Sequence, residues 1–168
     1  MHSASIDSLI VRAATIDDLD AIAHIYNEGI EDRVATLETD PKSHEDVQEW
    51  WLEHDNRYCV LVATVAREIV GWASLNRFSH RCAHAAVADL SVYVTRSQRG
   101  RGIGAMLLRE LDRAAAGEFH KIVLHALNDN ERGKRLYRKL GYREVGVFKE
   151  HGKLDGRFVD VVAMEKLL

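Results

Sequence analysis

The sequence predicts an α/β fold in which helices flank a mixed β-sheet. Strand-like and helix-like patterns alternate along the whole chain of 168 residues. In the first half, the apolar runs 59–65 and 69–76 follow each other across a short turn, whereas later strand patterns are separated by helical ones. Consecutive strands favour antiparallel pairing and helix-separated strands favour parallel pairing, so one sheet should contain both.

Seven strands and four helices are expected, in the order βααβββαβαββ. The strands are predicted from short apolar or alternating runs, at 9–13, 59–65, 69–76, 86–94, 121–127, 142–149 and 157–167. The helices are predicted from apolar spacing and end signals, with starts near Thr15, Ser43, Gly104 and Asn130. Ser43 and Asp46 have the spacing of a capping box, and Gly141 ends the last helix.

Length and composition indicate a single domain, residues 1–168, with a substantial core. The chain is 46% hydrophobic and 29% charged, which excludes disordered, collagen-like and disulfide-scaffold classes. We expect no membrane partner, because no apolar run reaches about 18 residues. The first five residues lack a secretory pattern. Cys59 and Cys82 are the only cysteines, so a reduced, cytoplasmic protein is expected.

Charge is distributed unevenly along the chain. Residues 1–60 carry 14 acidic and 4 basic side chains, whereas residues 61–168 carry 12 and 19. This asymmetry fits an anionic ligand in the second half, and it also fits solvated helix faces. The net charge of −3 and the absence of aromatics interleaved with the basic residues of 132–139 argue against nucleic-acid binding.

The strongest motif is the basic, glycine-rich turn 98–104, with the sequence QRGRGIG, between a predicted strand and a predicted helix. Alternate glycines leave backbone N–H groups accessible, and a helix N-terminus favours phosphate. Gly100, Gly102 and Ala105 also satisfy a loose dinucleotide pattern, which leaves a nucleotide-binding regulatory module as an alternative.

The pattern Arg99-x-x-Gly102-x-Gly104 resembles the pyrophosphate loop of the GCN5-related N-acetyltransferases. The run from Asn130 through Gly133 to Tyr137 resembles their second coenzyme A segment. The resemblance implies a partly splayed sheet and acetyl-CoA as co-substrate. It implies that coenzyme A is bound by Leu90, Val92, Tyr93, Val94, Arg99, Gly100, Arg101, Gly102, Ile103, Gly104 and Asn130.

Two residues are candidates for proton transfer, Asp89 and Tyr137. Strand alternation places Asp89 on one face with Ser91 and Tyr93. A carboxylate is disfavoured in strands and costly to bury, so Asp89 is either exposed or kept for acid–base chemistry. The resemblance implies that Tyr137 protonates the departing thiolate, although its helical spacing also fits a core position.

The segments 25–41 and 151–161 resemble the phosphinothricin and arsinothricin acetyltransferase branch of this superfamily. That branch has a carboxylate base, usually Glu, at the position of Asp89, which would act directly or through water. It implies a small amino-acid-like amine as substrate, a homodimer and a role in resistance. The implied substrate-binding residues are Arg81, which would hold the substrate carboxylate, and also Arg77, Asn27 and Glu28.

Other acceptors are compatible with the same motifs. They include methionine sulfone or sulfoximine, a polyamine and a protein N-terminus. No metal is expected, because His80 and His84 have no third ligand at a standard spacing.

Overall fold

The computed structural model describes residues 8–168, so the N-terminal residues on which the secretory prediction rests lie outside it. In this part of the chain seven strands and four helices occur in the predicted order. They are β1 (Ile10–Ala13), α1 (Leu19–Asp32), α2 (His44–Leu52), β2 (Val60–Val65), β3 (Glu68–Arg77), β4 (Val87–Val94), α3 (Ile103–Ala115), β5 (Lys121–Leu127), α4 (Glu131–Lys139), β6 (Arg143–Leu154) and β7 (Arg157–Leu167).

The strands form one mixed sheet in the order β1-β2-β3-β4-β5-β7-β6. Every neighbouring pair is antiparallel except β4 and β5, which run parallel across the α3 crossover. The α/β class and the mixed sheet are therefore confirmed. The β4–β5 ladder is short, because it joins only Val87–Asp89 to Lys121–Val123.

Helices cover both faces of the sheet. On one face, α3 packs on β3 and β4 and contributes Leu107 and Leu111, which are fully buried. On the other face, α1 contributes Ile22 and Ile25, which pack with Trp72 of β3. The alternation of side chains along a strand lets β3 and β4 contribute to both clusters.

The largest differences between the predicted and the observed ends are at the start of α1 and the end of β6, and the other strand ends agree within one or two residues. A short 3₁₀ turn, Ile16–Asp18, precedes α1, so the α-helix begins at Leu19 rather than at Thr15. Strand β6 continues to Leu154 past a bulge between Phe148 and Gly152, whereas the predicted strand ended at 149. At this bulge the Glu150 N–H donates to Asp160 Oδ1 at 2.8 Å.

We expect Asp18→Asn to lower the free energy of unfolding by about 2 kcal/mol at neutral pH. The buried Asp18 carboxylate accepts two hydrogen bonds from Arg12, at 2.7 and 2.9 Å, and one from the Thr15 N–H. These bonds outweigh burial and lower the Asp18 pKa below 3.8. The stabilisation is thus present above that value and is lost as the pH falls through the lower, folded-state pKa.

Urea unfolding at neutral and acidic pH measures this effect, with the exposed Asp17→Asn as the matched control. The difference between wild type and Asp18→Asn should shrink in acid. An Asp18→Asn variant as stable as Asp17→Asn at neutral pH would contradict it.

Candidate active site

A cleft of about 410 Å³ opens where β4 and β5 separate. Beyond Asp89, β4 stays paired with β3 while β5 stays paired with β7, and the two strands no longer bond to each other. The backbone of residues 90–94 therefore has no strand partner on its β5 side. An extended ligand with amide groups can pair with such an edge.

The glycine-rich turn follows β4 and leads directly into α3. Gly100 and Gly102 have φ values of 78° and 84°, and Gly102 is the N-cap of α3. The first intrahelical bond is donated by Met106 to the Gly102 carbonyl at 3.1 Å, so the preceding N–H groups are available at the helix start. No heavy atom lies within 4 Å of a Cβ built on Gly102. The turn thus offers an open anion site.

Arg99 fastens this turn to the rest of the fold. Its guanidinium donates to Asp32 Oδ2 of α1 at 2.5 Å and to the Val94 carbonyl at 3.1 Å. Arg101 instead donates to Gln98 Oε1 at 2.7 Å. Arg99 is therefore half-buried and oriented by a carboxylate, whereas Arg101 lies on the exposed side of the turn.

We expect Gly102→Asn to weaken coenzyme A binding about tenfold or more, which is about 1.4 kcal/mol of binding free energy. Asparagine tolerates the left-handed backbone, so the fold should persist while the side chain enters the anion site. Isothermal titration measures the affinity. Gly117→Asn is the control, since Gly117 has a φ of 86°, open surroundings and a position outside this turn. Equal coenzyme A affinities of both variants and wild type would show that the coenzyme does not bind at this turn.

Asp89 is the last residue of β4 that pairs with β5, and it lies at the edge of the cleft. Asn76 Nδ2 donates to Asp89 Oδ2 at 3.4 Å and to Ser91 Oγ at 3.0 Å. The Asp89 side chain remains 29% exposed. The carboxylate is therefore oriented by one neighbour and open to a ligand.

His125 of β5 is a neighbour of Asp89 that the sequence analysis missed. Its Nδ1 lies 3.9 Å from Asp89 Oδ1, and its exposed side chain lines the same cleft. A histidine within the otherwise apolar run 122–127 was the available signal. Its proximity to Asp89 depends on the parallel register of β4 and β5.

Tyr137 and Asn130 approach the cleft from α4. Asn130 caps this helix by accepting the Gly133 N–H at 3.0 Å, which leaves its side-chain N–H₂ free for a ligand. A Cβ on Gly133 would lie 2.6 Å from Asn130 Nδ2, which accounts for the glycine. Burial and, secondarily, Asp89 raise the Tyr137 pKa to about 12. Its hydroxyl therefore stays protonated.

The remaining predicted residues are divided between the cleft and other places. Leu90, Val92 and Tyr93 line the cleft, although the Tyr93 ring packs against Tyr26 and Trp72. Val94, Gly100, Ile103 and Gly104 lie beyond it, towards or within the glycine-rich turn.

The four predicted substrate-binding residues do not line the cleft. Asn27 pairs with both backbone groups of Lys42, and Glu28 accepts from the Thr95 hydroxyl and the Arg96 N–H. Both side chains are thus used within the fold. Arg77 lies over the Tyr58 ring, 5.2 Å from its centroid. Arg81 is exposed in the turn before β4.

An unpaired strand edge beside an anion site fits an enzyme that takes an acyl group from a coenzyme A thioester. The chain belongs to the acetyltransferase (GNAT) family, whose model matches residues 19–142. It is an acetyl-CoA-dependent N-acetyltransferase acting on a small amine. The family and the enzyme class predicted from the motifs are therefore confirmed. Within residues 8–168, no helix has the length and hydropathy to cross a membrane.

Relatives match over most of the chain. A phosphinothricin N-acetyltransferase of Streptomyces coelicolor is 34% identical, with 94% of this chain and 95% of that protein covered. An L-methionine sulfoximine/L-methionine sulfone acetyltransferase of Pseudomonas aeruginosa is 31% identical, with 94% of each chain covered. The crystal structure of a phosphinothricin acetyltransferase from Sinorhizobium meliloti in complex with AcCoA superimposes with a TM-score of 0.89 at 31% identity. The match covers 96% of this chain and 89% of that one.

Proposed function

We propose that the enzyme acetylates the primary amine of a small amino-acid-like acceptor, of the phosphinothricin or arsinothricin type, by direct transfer in a ternary complex. The observation that carries the proposal is the position of Asp89, an accessible carboxylate at the point where β4 and β5 separate. Two relatives are named for the amino-acid analogues phosphinothricin and methionine sulfoximine or sulfone, and these names support the same acceptor class.

In this proposal Asp89 removes a proton from the substrate ammonium, directly or through a water molecule. Asn76 holds one carboxylate oxygen, and His125 lies beside the other. The free amine then forms its new bond to the acetyl carbon, and the bond from that carbon to sulfur breaks.

Backbone and side-chain donors complete the proposed reaction. Backbone N–H groups near Leu90 and Val92 polarise the thioester carbonyl, since this stretch has no partner on its β5 side. The protonated Tyr137 donates to the departing sulfur. Asn130 and the turn 99–104, including Arg99 and Arg101, hold the remainder of the coenzyme.

Arg81 does not line the cleft, and its proposed role of holding the acceptor carboxylate comes from the resemblance to the phosphinothricin and arsinothricin branch. We expect Arg81→Ala to raise the KM of a carboxylate-bearing acceptor about tenfold to a hundredfold, as for loss of a charge-assisted hydrogen bond of about 1.5–3 kcal/mol. The KM of acetyl-CoA should stay within twofold. Steady-state kinetics decides this, with Arg77→Ala as the comparison. Equal effects on both substrates would indicate a folding or coenzyme role for Arg81.

We further propose that the enzyme is a cytoplasmic homodimer with a role in resistance. Strand β6 ends the sheet and exposes Val145, Val147 and Phe148 on an unpaired edge, which a second copy could cover. Both cysteines are free thiols, as a reducing compartment favours. Sedimentation of wild type and Val147→Asp tests the dimer, which the charged variant should weaken.

A transfer screen over amino-acid analogues tests the proposed function. Released thiol and a product carrying one added acetyl group are expected with amino acids.

Thermal shift with acetyl-CoA and with NAD separates this enzyme from a nucleotide-binding module. A ligand at 100 times its dissociation constant adds about 2.7 kcal/mol to the folded state. Stabilisation by NAD alone would contradict the proposal.

A further inference from the structure

A second cleft of about 360 Å³ adjoins the first one. It lies between α2 and the sheet, on the face opposite α3. Tyr26, Glu38 and Ser91 line both clefts, so the two are continuous. The reaction described above uses none of the residues that line only the second cleft.

Aromatic rings form the inner wall of the second cleft. The Trp72 ring centroid lies 5.3 Å from that of Trp50 and 5.9 Å from that of Tyr26. Trp72 is only 3% exposed, and its Nε1 has no hydrogen-bond partner among the described residues. The cleft therefore combines aromatic faces, which attract cations, with one donor left for a ligand or water.

The rim of the second cleft is acidic. Asp46 and Glu49 line it from α2 and Glu53 from the C-cap of that helix, at spacings of three and four residues that place them on one side. One Asp46 oxygen also accepts the Ser43 N–H at 2.8 Å in the N-terminal capping box. Lys42 is its only basic lining residue in the described chain, and its Nζ is neutralised by Glu38 at 2.8 Å. An anionic group entering here would meet three carboxylates, whereas a cation would meet carboxylates and aromatic rings.

Asn76 connects this second cleft to Asp89. It bonds Asp89 and Ser91, and its Oδ1 lies 2.9 Å from His54 Nε2 at the end of α2. Asp89 and Ser91 point to the same face of β4 two residues apart, which is a distance of about 7 Å. An amino-acid side chain of three or four carbons with a terminal charged group spans this distance.

We propose that the second cleft binds the cationic side chain of the acceptor, so that the preferred acceptor is an amino acid with a basic side chain. The inference rests on the transfer to an amino-acid-like acceptor proposed above: Asp89 receives the α-amine, and the acidic rim and aromatic wall select the distal charge. Within that acceptor class it replaces the phosphinothricin type by a basic side chain, because the three carboxylates would repel the anionic phosphinate of phosphinothricin.

Arginine and citrulline form a matched pair of test acceptors, because they are nearly isosteric and differ in the side-chain charge. We expect kcat/KM for arginine to exceed that for citrulline about tenfold or more, and that for phosphinothricin by a larger factor. A double variant, Glu49→Gln with Glu53→Gln, should raise the KM for arginine and leave that for citrulline unchanged. Glu110→Gln is the control, since Glu110 lies on α3, across the sheet.

Transfer with citrulline or phosphinothricin equal to or above arginine would overturn the cationic subsite and leave the proposed function standing. So would a double variant that affects arginine and citrulline equally. Absence of transfer to all three acceptors, with coenzyme A still binding, would overturn the proposed function and the subsite together.

Discussion

Asp89→Asn should lower kcat/KM by about 10²–10⁴ at neutral pH, the range for a lost general base. Asparagine keeps the size of the side chain and can still bond to Asn76, but it cannot accept the proton of the ammonium. The variant should therefore lose most of the rate while it still binds acetyl-CoA.

The control for this experiment is Asp129→Asn. Asp129 is an exposed carboxylate that follows β5 and does not line the cleft, so its removal should leave kcat/KM within twofold. If Asp89→Asn keeps most of the activity, Asp89 is structural. His125 is then the next candidate for the base, because it lies 3.9 Å away, while Glu28 is bound to Thr95 and Arg96.

Tyr137→Phe should lower kcat by about 10²-fold with a small change in the KM of acetyl-CoA, as expected for loss of a proton donor. Phenylalanine preserves the ring that packs 6.1 Å from the Tyr142 ring and removes only the hydroxyl. Because the Tyr137 pKa is raised to about 12, the hydroxyl stays protonated below that pH. Its ionisation should therefore cause no loss of wild-type activity at neutral or mildly alkaline pH.

Steady-state kinetics with a fixed, saturating acceptor measures the Tyr137 effect. Tyr142→Phe is the matched control, because the Tyr142 hydroxyl donates to Asp112 at 2.9 Å. That variant should lose stability rather than kcat. A Tyr137→Phe enzyme with unchanged kcat would make Tyr137 a packing residue, as its helical spacing alone suggested.

The glycine-rich turn and Asp89 could be predicted as site residues from the sequence because both are unusual in their local context. Repeated glycines before a helix and a carboxylate within a strand can each be recognised from the neighbouring residues in the sequence alone. His125 was an anomaly of the same kind, but its meaning depends on a contact between two strands more than thirty residues apart. The short β4–β5 ladder that creates this contact follows from the packing of the whole sheet.

For Asn27 and Glu28, a motif in the sequence suggested a binding role that the hydrogen bonds in the fold do not support. Their place near the start of the branch-like segment suggested substrate binding, yet their polar atoms bond to the backbone of Lys42 and Arg96. The second cleft was also beyond sequence reasoning. Trp50 and Trp72 lie on different elements and come together only when α2 packs on β3.

A crystal structure of the enzyme with coenzyme A tests the central claim most directly, namely that the gap between β4 and β5 is the acetyl-transfer site. We expect the pantetheine to pair with the free backbone of residues 90–94 and the pyrophosphate to contact the N–H groups that begin α3. The thiol should lie between Asp89 and Tyr137. Coenzyme A bound outside this gap, or a thiol far from both residues, would contradict the account.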